Sequence, residues 1–176
     1  MEKRGSKHSS KDAVGVIEQQ LKVLAMALDA GALSPPSKGV ELERRHEPPL
    51  VIASDGEPLS RATMRRVLVS NALLTVGDFL SDHHIDQSRA PEIQFLARVR
   101  DAIRSGNMIT VRSDEPLPEA TFAGLKIDAS TNGKPLFGDE DAGDGLLCIG
   151  DAVALMQRVA EHLRGMRNLY SAGDAG

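Results

Sequence analysis

Between Pro91 and Asn107 the apolar residues Ile93, Leu96 and Ile103 recur at helical spacing, and Arg100 stands on that same stripe with Asn107 at its end. A guanidinium where an apolar side chain would ordinarily lie needs a chemical reason. Its planar, permanently charged fork matches the oxygens of a phosphate or a carboxylate. Arg100 is therefore read two ways: it holds a phosphate, or it pairs with an acidic group and fixes how helices or subunits dock. Asp101 is adjacent, on the solvated side, and Ser105 follows four residues later. Arg104 and Asn107 complete the set of candidate binding residues. Arg98 and Arg104, projected onto the outer side of the helix, read as ordinary surface charge rather than an RNA track.

Other polar clusters carry less. His83 and His84 are adjacent, so their rings point apart, and no Cys or His stands at ligand spacing from them. Two solvated histidines at a helix C-terminus are the simpler reading. Asp139, Glu140, Asp141 and Asp144 resemble a calcium loop, but Gly150 occupies the twelfth position, where an oxygen ligand is required. Gly143-Asp144-Gly145 has neither the Lys-Ser/Thr end nor the preceding strand of a phosphate loop. Cys148 has no basic neighbour to lower its pKa and reads as a small core residue. No metal site and no cofactor are expected.

The elements that must position Arg100 follow from periodicity. Val14, Ile17, Leu21, Leu24 and Leu28 predict an amphipathic helix from Asp12 to about Gly31. Prolines 35, 36, 48 and 49 make residues 32–59 a long loop. Ser60 caps a second helix carrying Met64, Val67, Leu68, Leu74, Val76, Phe79 and Leu80, few of whose turns are wholly polar. Pro91 suits the first turn of a third helix and Gly106 its left-handed stop. Residues 108–137 change character: Ile109-Thr110-Val111 and Thr121 to Ile127 read as strands, with Asn132-Gly133 as a turn. Ala152, Val153, Met156, Val159 and Leu163 then predict a closing helix. The expected class is mainly α: a helical bundle with a small β-hairpin excursion before the last helix, one domain over residues 11–168, and flexible tails at 1–10 and 169–176.

Composition agrees. With 176 residues, 41% hydrophobic and only 3% aromatic, the chain can bury one aliphatic core of the kind helices build. A net charge of −4 argues against a surface that grips phosphates everywhere, although a strip of Arg98, Arg100 and Arg104 permits local nucleic-acid binding. A single cysteine allows no intrachain disulfide and fits a reducing compartment, so the cytoplasm is expected. The polar start, Met1 to Lys11, and the absence of any stretch near the roughly 20 apolar residues of a membrane span lead us to expect neither secretion nor a membrane.

The stretch Pro91-Glu-Ile-Gln-Phe-Leu-Ala-Arg-Val-Arg-Asp-Ala-Ile-Arg-Ser-Gly-Asn107 resembles the signature helix of bacterial HEPN-like (higher eukaryotes and prokaryotes nucleotide-binding) proteins, which reads Arg-Asn-x-x-x-His followed by Gly-Asn. Arg100 falls on the motif arginine, Asp101 on the adjacent polar position, Ser105 on the histidine, and Gly106 and Asn107 on the trailing pair. The likeness continues through Ala120 to Ile127, Asn132 to Phe137, and Gly145-Leu-Leu with Asp151, and covers roughly residues 60 to 165. It implies a helical bundle that pairs as a homodimer, with the signature helices lining one cleft. In active members the arginine steadies a phosphate while the histidine helps activate the RNA 2′-hydroxyl.

Ser105 departs from that pattern. A hydroxyl cannot exchange protons near neutral pH as imidazole does, and losing general acid–base help costs about 10²- to 10⁴-fold in rate. The expected function is accordingly a non-catalytic, homodimeric HEPN-like binding domain, with RNA, a nucleotide or a protein as partner. The resemblance suggests a toxin–antitoxin, mobile-element or phage-defence setting. Two alternatives stay open: an RNA endonuclease whose proton carrier is His83 or His84, and a purely structural interaction module.

Overall fold

Apolar residues at three- and four-residue steps build four α-helices among the described residues: α1 (Arg4–Asp29), α2 (Arg61–Asp82), α3 (Pro91–Arg104) and α4 (Ile149–Ala172). The computed structural model describes residues 4–29, 39–52, 59–111, 118–139 and 144–172. Helix α1 lies against α4 and α2, and α2 in turn packs on α3 and α4. Ile17, Leu73, Leu80, Phe95, Leu96, Leu155 and Leu163 fill the shared core, each fully buried. No described helix is long and apolar enough to cross a membrane. The mainly α class holds.

Local signals act where the residue types place them. The Ser60 hydroxyl accepts the Thr63 amide at 3.0 Å and caps α2. Pro91 sits in the first turn of α3, and Gly106, with φ +71°, ends it. Asp151 reaches back to accept the Cys148 amide at 3.0 Å at the start of α4.

Three expectations are corrected. Helix α1 begins at Arg4 and α4 continues to Ala172, so the expected tails are helical over 4–10 and 169–172. The apolar stripe marks only the turns that touch the core, and a helix continues past it wherever its polar residues remain solvated. The loop at 32–59 holds an antiparallel hairpin, β1 (Val40–Leu42) paired with β2 (Leu50–Ile52), whose second strand starts just after Pro49. The excursion, finally, is folded differently from the reading at 108–137.

There, Thr121 to Ile127 is not one strand. It folds on itself as β3 (Thr121–Phe122) and β4 (Leu125–Lys126), reversing at Ala123 and Gly124, both at positive φ. Gly124 is the turn signal there, but Ala123 beside it is not one, so in the sequence the run reads as a single strand. Ile109 forms no strand with this hairpin. It instead exchanges backbone hydrogen bonds with the Asn132-Gly133 corner, donating to Lys134 at 2.9 Å and accepting from Gly133 at 2.8 Å. The corner itself turns as expected, after a short 3₁₀ turn at Ala129–Thr131.

Candidate functional site

The fully buried ridge of α3 runs Ile93, Leu96, Val99 and Ala102, with Phe95 beside it. Steps of three drift around a 3.6-residue helix, so Arg100 and Ile103 lie at the margin of this ridge, on the side of α2, rather than at its centre. A marginal position suits a guanidinium. Its methylene stem packs against the neighbouring helix while its head reaches the surface. The Arg100 side chain is 14% exposed.

The stem requires a gap in α2, and Gly77 supplies it. A Cβ at Gly77 would stand 2.9 Å from both Cβ and Cδ of Arg100, closer than carbon atoms approach. The Arg100 head donates from Nη1 to the Gly77 carbonyl at 3.3 Å and from Nη2 and Nε to Asp101 Oδ1 at 3.1 and 3.2 Å. Asp78 Oδ1 lies 3.8 Å from the same Nε and accepts a 2.8 Å bond from Arg104. Two arginines and two aspartates thus close a charge-balanced cluster over the α2–α3 seam. Asp78 and Gly77 were not singled out in the sequence, although a glycine between Val76 and Phe79 in a helical run was the available signal.

Ser105 and Asn107 belong to the end of α3 rather than to this cluster. Ser105 is the exposed C-cap, its hydroxyl 3.4 Å from that of Thr110. Asn107 holds φ +71°, and its side-chain amide mimics a strand partner for Phe137. Nδ2 donates to the Phe137 carbonyl at 2.8 Å, Oδ1 accepts its amide at 2.9 Å, and the Asn107 carbonyl takes Leu136 at 2.8 Å. This side chain is therefore occupied in joining the end of α3 to the segment before α4.

The proposed strip of Arg98, Arg100 and Arg104 does not form. Two positions along a helix point nearly opposite ways, and Arg98 turns to the excursion, donating to the Ile127 carbonyl at 2.7 Å and to the Pro118 carbonyl. Burial pushes its guanidinium below the ordinary value, an effect opposed by the nearby Asp128 carboxylate. Asp128 is itself held at about 2, chiefly by hydrogen bonds from the Ser130 side chain and backbone, with Lys126 adding to them. Arg104 is likewise no free cation, being paired with Asp78.

The histidines stand elsewhere. His83 closes α2, stacks on Phe79 with ring centroids 4.0 Å apart and shares a 2.9 Å bond between Nδ1 and the Phe79 carbonyl. His84 follows in the left-handed region at φ 56°. Both line a depression of about 610 Å³ with Ser9, Ser10 and Met166. They sit at least six residues beyond Gly77 along α2, roughly 9 Å at 1.5 Å per residue. His162 pairs with Glu92 at 2.9 Å between α4 and α3. No hydrogen bond or ion pair among the described residues joins an imidazole to the arginine cluster. No group of three or more potential metal ligands occurs among them either.

Beside the cluster, toward the start of α2, a shallow depression of about 290 Å³ is lined by Arg66, Val67, Leu74, Ile103 and Asn107. Val67 is exposed and Leu74 and Ile103 half-buried, so the seam offers an apolar recess with a polar rim. No family model, no curated protein and no solved structure matches the chain.

Proposed function

We propose that this chain is a non-catalytic, homodimeric HEPN-like binding domain whose working surface is the α2–α3 seam, of the kind suited to a toxin–antitoxin, mobile-element or defence system. The observation that carries the reading is the occupancy of the arginines. Both guanidiniums at the seam are bonded by Asp78 and Asp101, so a phosphate arriving there meets no net positive charge and has to displace a carboxylate. Ser105, at the position of the motif histidine, offers a hydroxyl with no base bonded to it among the described residues. The seam is thus better suited to docking than to cleaving RNA. Its apolar recess beside a balanced charge cluster supports the same reading, because such a pattern gives an interface area from the first and register from the second.

The test pairs two measurements on the purified chain. Light scattering at tens of micromolar is expected to give the mass of two chains, and labelled RNA incubated without metal is expected to remain intact at the background rate. A monomeric mass removes the paired seam. RNA cleavage that Arg100→Ala abolishes overturns the non-catalytic reading and assigns the chain to the ribonucleases.

A further inference from the structure

The Asn132-Gly133 corner carries chemistry of its own. Of the four asparagines, Asn71, Asn107, Asn132 and Asn168, only Asn132 precedes a glycine. An asparagine side chain is thermolabile, because the backbone nitrogen that follows it attacks its Cγ. The nitrogen–Cγ bond forms, the Cγ–Nδ2 bond breaks, and Nδ2 leaves as ammonia with the proton of the attacking amide. Water then opens the five-membered imide. Opening at one carbonyl gives aspartate; opening at the other gives isoaspartate, in which the main chain runs through Cγ. Water is the only co-reactant, and Asn132 and Gly133 are both exposed to it. Glycine favours the attack because it has no Cβ to hinder the nitrogen or to restrict its rotation.

The fold ties down both reacting groups. The Gly133 nitrogen donates to the Ile109 carbonyl at 2.8 Å, and Asn132 Oδ1 accepts the Val111 amide, also at 2.8 Å. Residues 109 and 111 thus hold the backbone arm and the side-chain arm of the dipeptide separately. The Lys134 carbonyl accepts the Ile109 amide at 2.9 Å and completes the pairing. Ring closure requires the Gly133 nitrogen to eclipse Cβ of Asn132, whereas Asn132 is extended at φ −57° and ψ 131°. Rotating ψ to reach that alignment swings Gly133 off Ile109. The Val111 amide polarises the Cγ carbonyl, which favours attack, but it is without effect while the nitrogen is bound elsewhere.

We infer that Asn132 is a deamidation site held closed by the fold: each opening of the corner frees the Gly133 nitrogen to attack Cγ, and conversion to isoaspartate prevents the corner from closing again. The two products differ in consequence. Aspartate keeps an oxygen where the Val111 amide needs an acceptor. Isoaspartate adds one carbon to the main chain, so Gly133 and Lys134 no longer stand opposite Ile109 and both of its backbone bonds are lost. The site is independent of the seam and of how the chain pairs.

The full chain is aged in mildly alkaline buffer, folded and in concentrated urea. The peptide containing Asn132 is followed by mass and by chromatography that separates aspartate from isoaspartate. Conversion is expected to be about ten- to a hundredfold slower in the folded chain, because the backbone pairing at Ile109 has to open first. In urea, Asn132 is expected to convert well ahead of Asn71 and Asn107, which precede alanine and methionine. Hydrogen exchange reads the consequence. The Ile109 and Gly133 amides are expected to be protected in the fresh chain and in Asn132→Asp, and unprotected in the isoaspartate chain refolded from urea with its helical circular dichroism intact. Equal rates in the folded and unfolded chain overturn the protection by the corner, and conversion in urea no faster at Asn132 than at Asn71 overturns the site. An isoaspartate chain that keeps both amides protected overturns the failure to close.

Discussion

Asp128 shows how a single exposed carboxylate shapes its surroundings. Its side chain accepts from the amide and hydroxyl of Ser130 at 2.8 and 2.6 Å, while the Thr131 hydroxyl accepts the Asp128 amide, closing a capping box around the 3₁₀ turn. These bonds favour the ionised form and hold the folded pKa near 2, against an ordinary value of 3.8. Because the folded value is the lower one, the stabilisation is fully present above about 3.8 and is lost as pH falls toward 2. Asp128→Ala is therefore expected to be less stable than wild type at neutral pH. Urea titrations at stepped pH should show the two curves converging between pH 4 and 2. A gap that stays constant down to pH 2 would mean that the carboxylate charge contributes nothing. Arg100 makes a second point at this scale. Its chemistry is fixed less by its own type than by Asp78 and Asp101, which turn a phosphate fork into an internal clamp.

At the scale of elements, the α2–α3 seam is a close approach of two helices permitted by one missing methyl group. Gly77→Ala raises helix propensity by up to about 1 kcal/mol, yet places a carbon against the Arg100 stem at 2.9 Å. Overpacking of this kind costs about 1–3 kcal/mol, so a net loss of about 1–2 kcal/mol is expected in urea denaturation. The origin of the loss is separable. In the Arg100→Ala background the same substitution should become neutral or stabilising, since the atoms it strikes are gone. A double-mutant cycle with no coupling between the two positions would refute the contact. The same logic explains why the helix tolerates glycine at this point: its backbone cost is offset by packing that no larger residue permits.

For the molecule as a whole, the central question is how a segment with little regular structure is fastened to a helical bundle. Residues 118–139 are held from both sides. Arg98 grips the Ile127 and Pro118 carbonyls from the outer side of α3, and Asn107 brackets Phe137 from its end. Phe137 and Leu136 are buried, so the amide and carbonyl that Asn107 serves have no access to water as a substitute. Asn107→Ala is expected to destabilise by about 2–4 kcal/mol, combining lost hydrogen bonds with an unfavourable left-handed backbone. Asn107→Gly relieves the backbone share and should recover about 1 kcal/mol. Thermal unfolding of the three proteins checks the order. Equal stability of the alanine and glycine variants would show that the positive φ is not a constraint.

The sequence by itself determined the helices and their caps, because these depend on neighbours within about one turn: apolar steps of three and four, Ser60 before α2, Pro91 and Gly106 around α3; it put Arg100 on the apolar stripe, and packing moved it to the margin. It also marked Asn132-Gly133 as a corner. Only the tertiary structure decided what the arginine touches, since Gly77 and Asp78 approach it from 22 or more residues away and nothing local records which helix becomes its neighbour. The reversal at Ala123-Gly124 and the reach of Arg98 toward Ile127 were hidden for the same reason. A lone glycine inside a β-rich run reads as a bulge as readily as a reversal, and a cation whose partner is a backbone carbonyl leaves no mark on composition or spacing. The hairpin within residues 39–52 lies between these cases: its three-residue strands are too short for periodicity to register, and its apolar face emerges only once pairing places Val40 beside Ile52.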